Sequence, residues 1–244
     1  MAAQRYFIIA AAILGAFSCA SPPAPSATAQ PAPQQAQAAP IPAPGSAPDI
    51  YIHAGRLLAD PASGQVLTEQ TILVRGGRIV SITPGYTSAS DAIDLRDDFV
   101  LPGLIDSHVH LATSPNRSRA EAELERLLYG GVVAVRDMAG DARALASLAR
   151  DTRLGQIPGP DVYFSALMAG PSFLSDPRPQ ASAAGETAGE VPWMQAITPE
   201  TDIGRAVAMA KGTYATGIKI YANLEPDIVQ AVTRLTYKEG TNEY

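Results

Sequence analysis

The 244-residue chain carries a net charge of −6 and has an isoelectric point near 5.0, without any cluster of Lys or Arg. Because neutralising phosphates requires a basic face, this composition argues against nucleic-acid binding. The single cysteine, Cys19, excludes a disulfide framework and a cysteine-based zinc cluster. Any metal chemistry must therefore use nitrogen and oxygen ligands.

The first 19 residues are typical of an export signal. Arg5 precedes an apolar run over residues 6–17 that is too short to span a bilayer comfortably. Two processing routes remain open. The sequence LGAFSC loosely resembles the lipobox of bacterial lipoproteins, which predicts lipidation of Cys19 and membrane attachment, whereas ordinary cleavage would follow the Ala27-Thr28-Ala29 site. Both predict an exported protein, in the periplasm or as an outer-membrane lipoprotein.

Residues 20–48 predict a disordered linker. They contain nine of the 21 prolines and no charged residue. Such a segment cannot bury enough apolar surface to fold, and its prolines favour an extended tether.

Residues 49–100 predict a small β-sheet domain. Short strands are separated by the turn signals DPASG and RGGR, which suggest antiparallel hairpins. His53 lies in the first strand, where an isolated histidine is expected to be structural or solvent-facing rather than a ligand.

From residue 101 to residue 244, strands alternate with helices. Strands are predicted at 103–111, 132–140, 161–170 and 218–224, and each is followed by a helical segment. Asp141 is the expected N-cap of the second helix, and Thr198 that of the third, with Pro199 at its first position. Four such units predict an α/β fold with a parallel sheet, either half of a TIM (β/α)8 barrel or a small doubly wound sheet.

One connection, residues 170–197, lacks clear periodicity. It follows the third β/α strand, at the end of the sheet where barrel enzymes keep their active-site loops. Loops of this length in compact domains are usually functional or disordered. Because it contains Phe173 and the only tryptophan, Trp193, it predicts a partly ordered lid or pocket wall.

Two of the three histidines, His108 and His110, stand one residue apart in the first of these strands. Side chains two positions apart on a strand share a face, so both should project together with Asp106. Two imidazoles on one face can chelate a divalent metal. A buried structural pair is the alternative, but the position at the carboxyl end of the strand favours metal ligation.

The stretch VLPGLIDSHVHL resembles the first barrel strand of the amidohydrolase superfamily, in which P-G-x-I-D-x-H-x-H follows a small β-sandwich. GGVVAVRDMAG is similar to the second strand of that family. IKIYA is similar to the fourth strand of its prolidase-like and imidazolonepropionase-like branch, where a lysine is commonly carboxylated. The resemblance extends over about residues 50–240. It implies that residues 49–100 form a small β-sandwich and that residues 101–244 form the N-terminal half of a TIM barrel. The metal ligands that it implies are His108, His110 and carboxylated Lys219.

The resemblance further implies one or two divalent ions, with zinc expected, and a metal-activated water that hydrolyses amide or peptide-like C–N bonds. A small-molecule or peptide substrate follows, with prolidase- or carboxypeptidase-like substrates preferred over cyclic amides and N-acyl compounds.

Lys219 can also be considered without the resemblance. It shares a strand face with Tyr221, and a lysine inside a barrel is costly unless it is neutral or paired, for example with Asp137. A neutral amine is the form that adds CO2. Arg136 and Asp137 end the second strand and suit salt bridging as well as a place at the site mouth, so no residue is assigned a catalytic role.

The ligand set of the family is incomplete in this sequence. The family's fifth and sixth strands each usually supply a histidine and its eighth an aspartate, yet no histidine follows His110. The sequence is therefore expected to be truncated after the fourth barrel strand and to have little activity alone. The contrasting hypothesis is a non-catalytic, envelope-tethered binding or assembly module.

Overall fold

The computed structural model describes residues 48–238. The predicted signal peptide, most of the predicted linker and Cys19 lie outside the described residues. Among the described residues, no helix is long and apolar enough to cross a membrane.

The first four strands form one sheet in the order β3-β2-β1-β4. They are β1 (Ile50–Leu57), β2 (Leu67–Arg75), β3 (Arg78–Pro84) and β4 (Ile93–Val100). The pairs β1–β2 and β2–β3 are antiparallel, as predicted, but β4 runs parallel to β1. Within the described residues this part of the chain contributes a single sheet, so the predicted β-sandwich, which needs two layers, is corrected to one mixed sheet.

The parallel pairing of β1 with β4 depends on Gly55. A β-carbon at Gly55 would lie 1.8 Å from the carbonyl oxygen of Arg96, so no other residue fits there without moving the backbone. The register of the two strands shifts between Ala54 and Arg56, at this close approach. The predicted hairpins did not include this pair. Residues 85–92 connect β3, at one edge of the sheet, to β4, which lies at the other edge beside β1.

The remaining elements form the α/β part of the chain. In chain order they are β5 (Leu104–Val109), α1 (Arg117–Tyr129), β6 (Val132–Met138), α2 (Ala142–Arg153), β7 (Asp161–Ala169), α3 (Pro177–Ser182), β8 (Glu190–Val191), β9 (Met194–Ala196), α4 (Ile203–Lys211), β10 (Gly217–Tyr221) and α5 (Pro226–Lys238). The four predicted β/α strands, β5, β6, β7 and β10, are parallel and pair in that order. The strand order does not reverse, in contrast to a doubly wound sheet.

Two apolar clusters join this sheet to its helices. One lies where α1 and α2 pack on β6 and β7, around the fully buried Leu124, Leu145 and Leu148. The other joins β7 and β10 to α4 and α5, around Met168 and Val232. Burial of these side chains fixes the strands whose carboxyl ends carry the polar residues described below.

One of the two predicted helix caps is confirmed, and the other is wrong. The Asp141 side chain accepts from the Arg143 amide and caps α2, as predicted. The cap predicted at Thr198 is wrong, since α4 begins at Ile203 with Asp202 as N-cap. The Thr198 amide instead donates to the Thr201 hydroxyl at 2.9 Å, which holds a turn ahead of the helix.

Candidate metal and substrate site

A cavity of about 380 Å³ lies at the carboxyl ends of the parallel strands. Strands β5, β6, β7 and β10 and the residues directly after them supply His108, His110, Met138, Leu167, Lys219 and Tyr221 to its lining. The connection after β7 supplies Phe173, Arg178, Pro179, Ser182 and Met194. The structure thus brings all three predicted metal ligands to one cavity.

The two histidines lie side by side. Their ring centroids are 5.3 Å apart with an interplanar angle of 64°. The pKa of His110 is lowered by burial, to which the nearby positive charge of Lys219 adds and which the Asp137 carboxylate opposes. A lowered pKa favours the neutral imidazole, which is the form that binds metals.

Asp106 does not join them. Its carboxylate accepts a hydrogen bond from the His108 amide at 3.1 Å, and it is not among the residues that line the cavity. The pairing of β5 with β6 shifts between Asp106 and Val109, so the strand is irregular at this point. Of the three residues expected on one face, only the two histidines line the cavity.

Lys219 is half-buried at the centre of β10. Its Nζ donates to the carbonyl oxygen of Met138 at 3.3 Å and lies 4.8 Å from the centroid of the Tyr221 ring. Ile218 and Ile220 pack into the apolar cluster on the other side, as the alternation predicted. Burial lowers the pKa of the Lys219 amine, which favours its neutral form.

Asp137, the acid considered as a partner for this lysine, forms no ion pair with it within residues 48–238. The Asp137 side chain is buried and does not line the cavity, although its negative charge opposes the lowering of the Lys219 pKa. Arg136 donates from Nε to the carbonyl oxygen of Ser107 at 3.1 Å, and it does not line the cavity either.

The connection of residues 170–197 forms one wall of the cavity, as its aromatic residues suggested. Phe173 packs edge-on against Tyr221, with ring centroids 4.8 Å apart. Trp193 is buried, and its Nε1 donates to the carbonyl oxygen of Ser182 at 3.1 Å. The segment is more regular than predicted, because it contains a 3₁₀ turn at 171–175, α3 and the β8–β9 pair, each too short to produce a periodic pattern.

Sequence reasoning missed Arg178, which lies on this wall. Its guanidinium forms two hydrogen bonds of 2.9 Å with Asp176, the N-cap of α3, and it lies 5.8 Å from the Phe173 ring centroid. The signal available in the sequence was the D-x-R pair, which also occurs at Asp141–Arg143.

His53 is structural, as expected. It is buried in the first sheet, where its Nε2 lies 3.1 Å from the Thr87 hydroxyl. Its ring is 5.1 Å from that of Tyr86.

The cavity offers a partial set of donors for a metal ion. Within the described residues, no group of three or more His, Cys, Asp or Glu side chains is arranged to hold an ion. His108 and His110 offer two nitrogen donors, and the Lys219 amine would add oxygen donors as a carbamate. Nitrogen and oxygen donors of this kind fit Zn²⁺ or a similar divalent cation, with further ligands needed to complete its coordination.

Known proteins similar to this chain share its fold or short parts of its sequence, although no protein-family model matches. The dihydroorotase of Methanothermobacter thermautotrophicus is 60% identical over 37 residues, which are 15% of this chain and 9% of that enzyme. The L-hydantoinase of Paenarthrobacter aurescens is 32% identical over 95 residues, which are 37% of this chain and 20% of that enzyme.

Among solved structures, a Xaa-Pro dipeptidase with bound methionine superposes with a TM-score of 0.64 at 24% identity, covering 79% of this chain and 55% of that one. A prolidase complexed with N-methylphosphonate-L-proline gives a TM-score of 0.60 at 23% identity, covering 79% and 54%. The ochratoxinase of A. niger gives 0.58 at 20% identity, covering 78% and 54%.

These similarities support a relationship with the amidohydrolase superfamily, and the solved neighbours show that the mixed α/β fold of this chain matches part of their structures. The chain spans about half the length of the solved neighbours, and its alignments cover a fifth or less of the two curated relatives described above.

Proposed function

We propose that this chain carries part of the active site of a metal-dependent hydrolase that acts on amide or peptide-like C–N bonds. One observation carries the proposal: His108, His110 and Lys219, taken from two strands more than 100 residues apart in the sequence, line the same cavity. The relationship to hydrolases of C–N bonds supports it.

Each residue has a defined part in this proposal. The neutral imidazoles of His108 and His110 would hold one or two divalent ions, with zinc the expected metal. The half-buried Lys219 amine on β10, once carboxylated, would add oxygen donors. When bound, the metal supplies Lewis-acid activation of a water and of the scissile carbonyl. Phe173, Met194 and Leu167 provide an apolar wall beside the reacting groups.

The donors in the described residues form a partial set. We therefore propose that turnover is low unless ligands from outside residues 48–238 complete the coordination, in keeping with the incomplete motif of the sequence.

For the substrate we propose a peptide-like compound of the prolidase or carboxypeptidase type. The solved neighbours support this class, since they include a Xaa-Pro dipeptidase and a prolidase holding a phosphonate derivative of proline. Cyclic amides and N-acyl compounds are the alternative, and the dihydroorotase and L-hydantoinase relatives support the cyclic amides.

Calorimetric titration of the zinc-loaded protein distinguishes these substrate classes. We expect N-methylphosphonate-L-proline to bind at least about tenfold more tightly with zinc than without it, because its phosphonate resembles the tetrahedral transition state of amide hydrolysis. Dihydroorotate and hydantoin should show a smaller zinc effect. A larger zinc effect for the cyclic amides would reverse the substrate assignment, and no zinc effect on any of the three would contradict a hydrolytic site.

We also propose that the protein is exported and tethered through lipidated Cys19. The sequence before Cys19 supports lipidation, and the proline-rich segment after it suits a spacer. In a bacterial host, Cys19→Ser should move most of the protein from the membrane fraction to the soluble periplasmic fraction and abolish labelling by radioactive palmitate. An unchanged distribution, with no label in either form, would support cleavage after Ala29 instead.

A further inference from the structure

Asp137 is a fully buried carboxylate at the end of β6, with 0% of its surface exposed. No Lys, Arg or His side chain lies within ion-pair distance of it in the described part of the chain. Burying a charge without a cationic partner is expensive unless hydrogen bonds compensate for the lost water. The partners of this carboxylate therefore indicate what its burial achieves.

All three partners are backbone amides. Oδ2 accepts from the amide of Leu111 at 2.5 Å and from that of Ala112 at 3.4 Å, whereas Oδ1 accepts from the Gly140 amide at 2.8 Å. Leu111 directly follows His110 in the chain. The carboxylate thus ties the backbone after the second histidine to the turn that follows β6.

The ladder between β5 and β6 ends at the same place. Its last pair is Val109 with Asp137, after a register shift that follows Asp106. Residues 110–112 therefore lack the regular strand pairing that would otherwise orient His110. The Asp137 side chain supplies hydrogen bonds where the ladder stops.

The turn after β6 is built to reach this segment. Ala139 has a φ of +91°, in the left-handed region that is costly for residues other than glycine. A β-carbon at Gly140 would lie 2.9 Å from the β-carbon of Ala112, and the Asp141 amide donates to the Ala112 carbonyl oxygen at 3.2 Å. The strained backbone at Ala139 and the close packing at Gly140 both bring the turn into contact with residues 111–112.

From these contacts we infer that Asp137 is the positioning residue for His110, because its carboxylate fixes the backbone that aims this imidazole into the cavity. The inference deepens the proposed function and rests on it in so far as His110 is a metal ligand. Asp137 itself does not line the cavity, so it acts through the chain and not on substrate or metal.

The test uses Asp137→Asn in the full chain. Asparagine has the same shape as aspartate but only one acceptor oxygen. Its NH2 group would therefore face the backbone amide of either Gly140 or Leu111, where two donors cannot form a hydrogen bond. We expect zinc affinity to fall about 10–100-fold, as it does when outer partners of metal ligands are lost. The matched control is Asp151→Asn, which removes another buried carboxylate. Asp151 lies on α2, accepts a hydrogen bond of 2.6 Å from Arg117 and is not among the residues that line the cavity. This variant should lower stability but leave zinc affinity unchanged.

A second measurement does not depend on metal. The chain has only three histidines, so their imidazole resonances can be assigned by NMR. In Asp137→Asn the His110 ring signals should shift, those of His53 should stay, and Asp151→Asn should change neither. Equal effects of the two variants on zinc affinity and on the His110 ring would overturn the inference. Failure of the wild-type protein to bind zinc would overturn the proposed function alone, because the NMR comparison would still decide the role of Asp137.

If Asp137→Asn does not fold, amide hydrogen exchange in the wild-type protein still tests the inference. Hydrogen bonds to a buried carboxylate predict that the Leu111 and Gly140 amide protons exchange slowly with solvent. Fast exchange of both protons would show that the carboxylate does not hold this backbone.

Discussion

His108→Ala is expected to weaken zinc binding by more than about 100-fold, and His110→Ala by a similar factor, since loss of a partner outside the ligand shell already costs 10–100-fold. The two imidazoles are the nitrogen donors that the described residues bring to the cavity. Neither ring lies in a large apolar cluster, so the loss should come from ligation and not from unfolding. Equilibrium dialysis with measurement of protein-bound zinc gives the affinity.

His53→Gln is the matched control because it removes the remaining histidine of the chain. His53 bonds Thr87 in the first sheet, so its loss should lower the melting temperature and leave zinc binding as in the wild type. Zinc binding that survives both cavity substitutions would contradict the proposed site. Absence of any zinc binding by the wild-type protein would favour a non-catalytic binding module.

Lys219→Arg should abolish carbamate formation, because arginine keeps the positive charge but has no amine that adds CO2. In buffer with ¹³C-bicarbonate and zinc, the wild-type protein should show a protein-bound carbamate signal in its ¹³C NMR spectrum. Burial lowers the pKa of the Lys219 amine, so the neutral, reactive form should persist to lower pH than in an exposed lysine. The signal should fade as the pH falls and the amine becomes protonated.

Lys211→Arg is the control for this experiment. Lys211 lies on α4 and is not among the residues lining the cavity, so its replacement should leave the carbamate signal intact. Zinc affinity should drop by about 10-fold or more in Lys219→Arg and remain unchanged in Lys211→Arg. A carbamate signal that persists in Lys219→Arg would assign the modification to another amine.

Much of the fold was predictable from sequence because its signals are local. Strands β5, β6, β7 and β10 lie within or close to the predicted segments, and helices α1, α2 and α5 follow β5, β6 and β10 as predicted. Each of these elements combines hydrophobic periodicity with turn or capping residues. The parallel partnership of β4 with β1 was not predictable in this way. It depends on a close backbone approach at Gly55, which has no local signature.

The candidate site was also predictable from the sequence only in part. The alternation of a strand places His108 beside His110 and Lys219 beside Tyr221, so each pair could be inferred from spacing alone. The role of Asp137 could not, because its amide partners Leu111 and Ala112 lie 26 and 25 residues away and are brought there by the packing of a turn. The sequence shows that a carboxylate stands at the end of the second strand, but it does not show which backbone amides this carboxylate binds.

The most direct test is an anomalous-scattering experiment on crystals of the protein grown or soaked with zinc. A site held by His108 and His110 predicts an anomalous peak about 2.0–2.1 Å from a ring nitrogen of each, on the side of the cavity that faces Lys219. Electron density for a carboxylated Lys219 should appear beside it. Zinc bound only at other places, or imidazoles that turn away from each other with no peak between them, would contradict the assignment of this cavity as a metal centre.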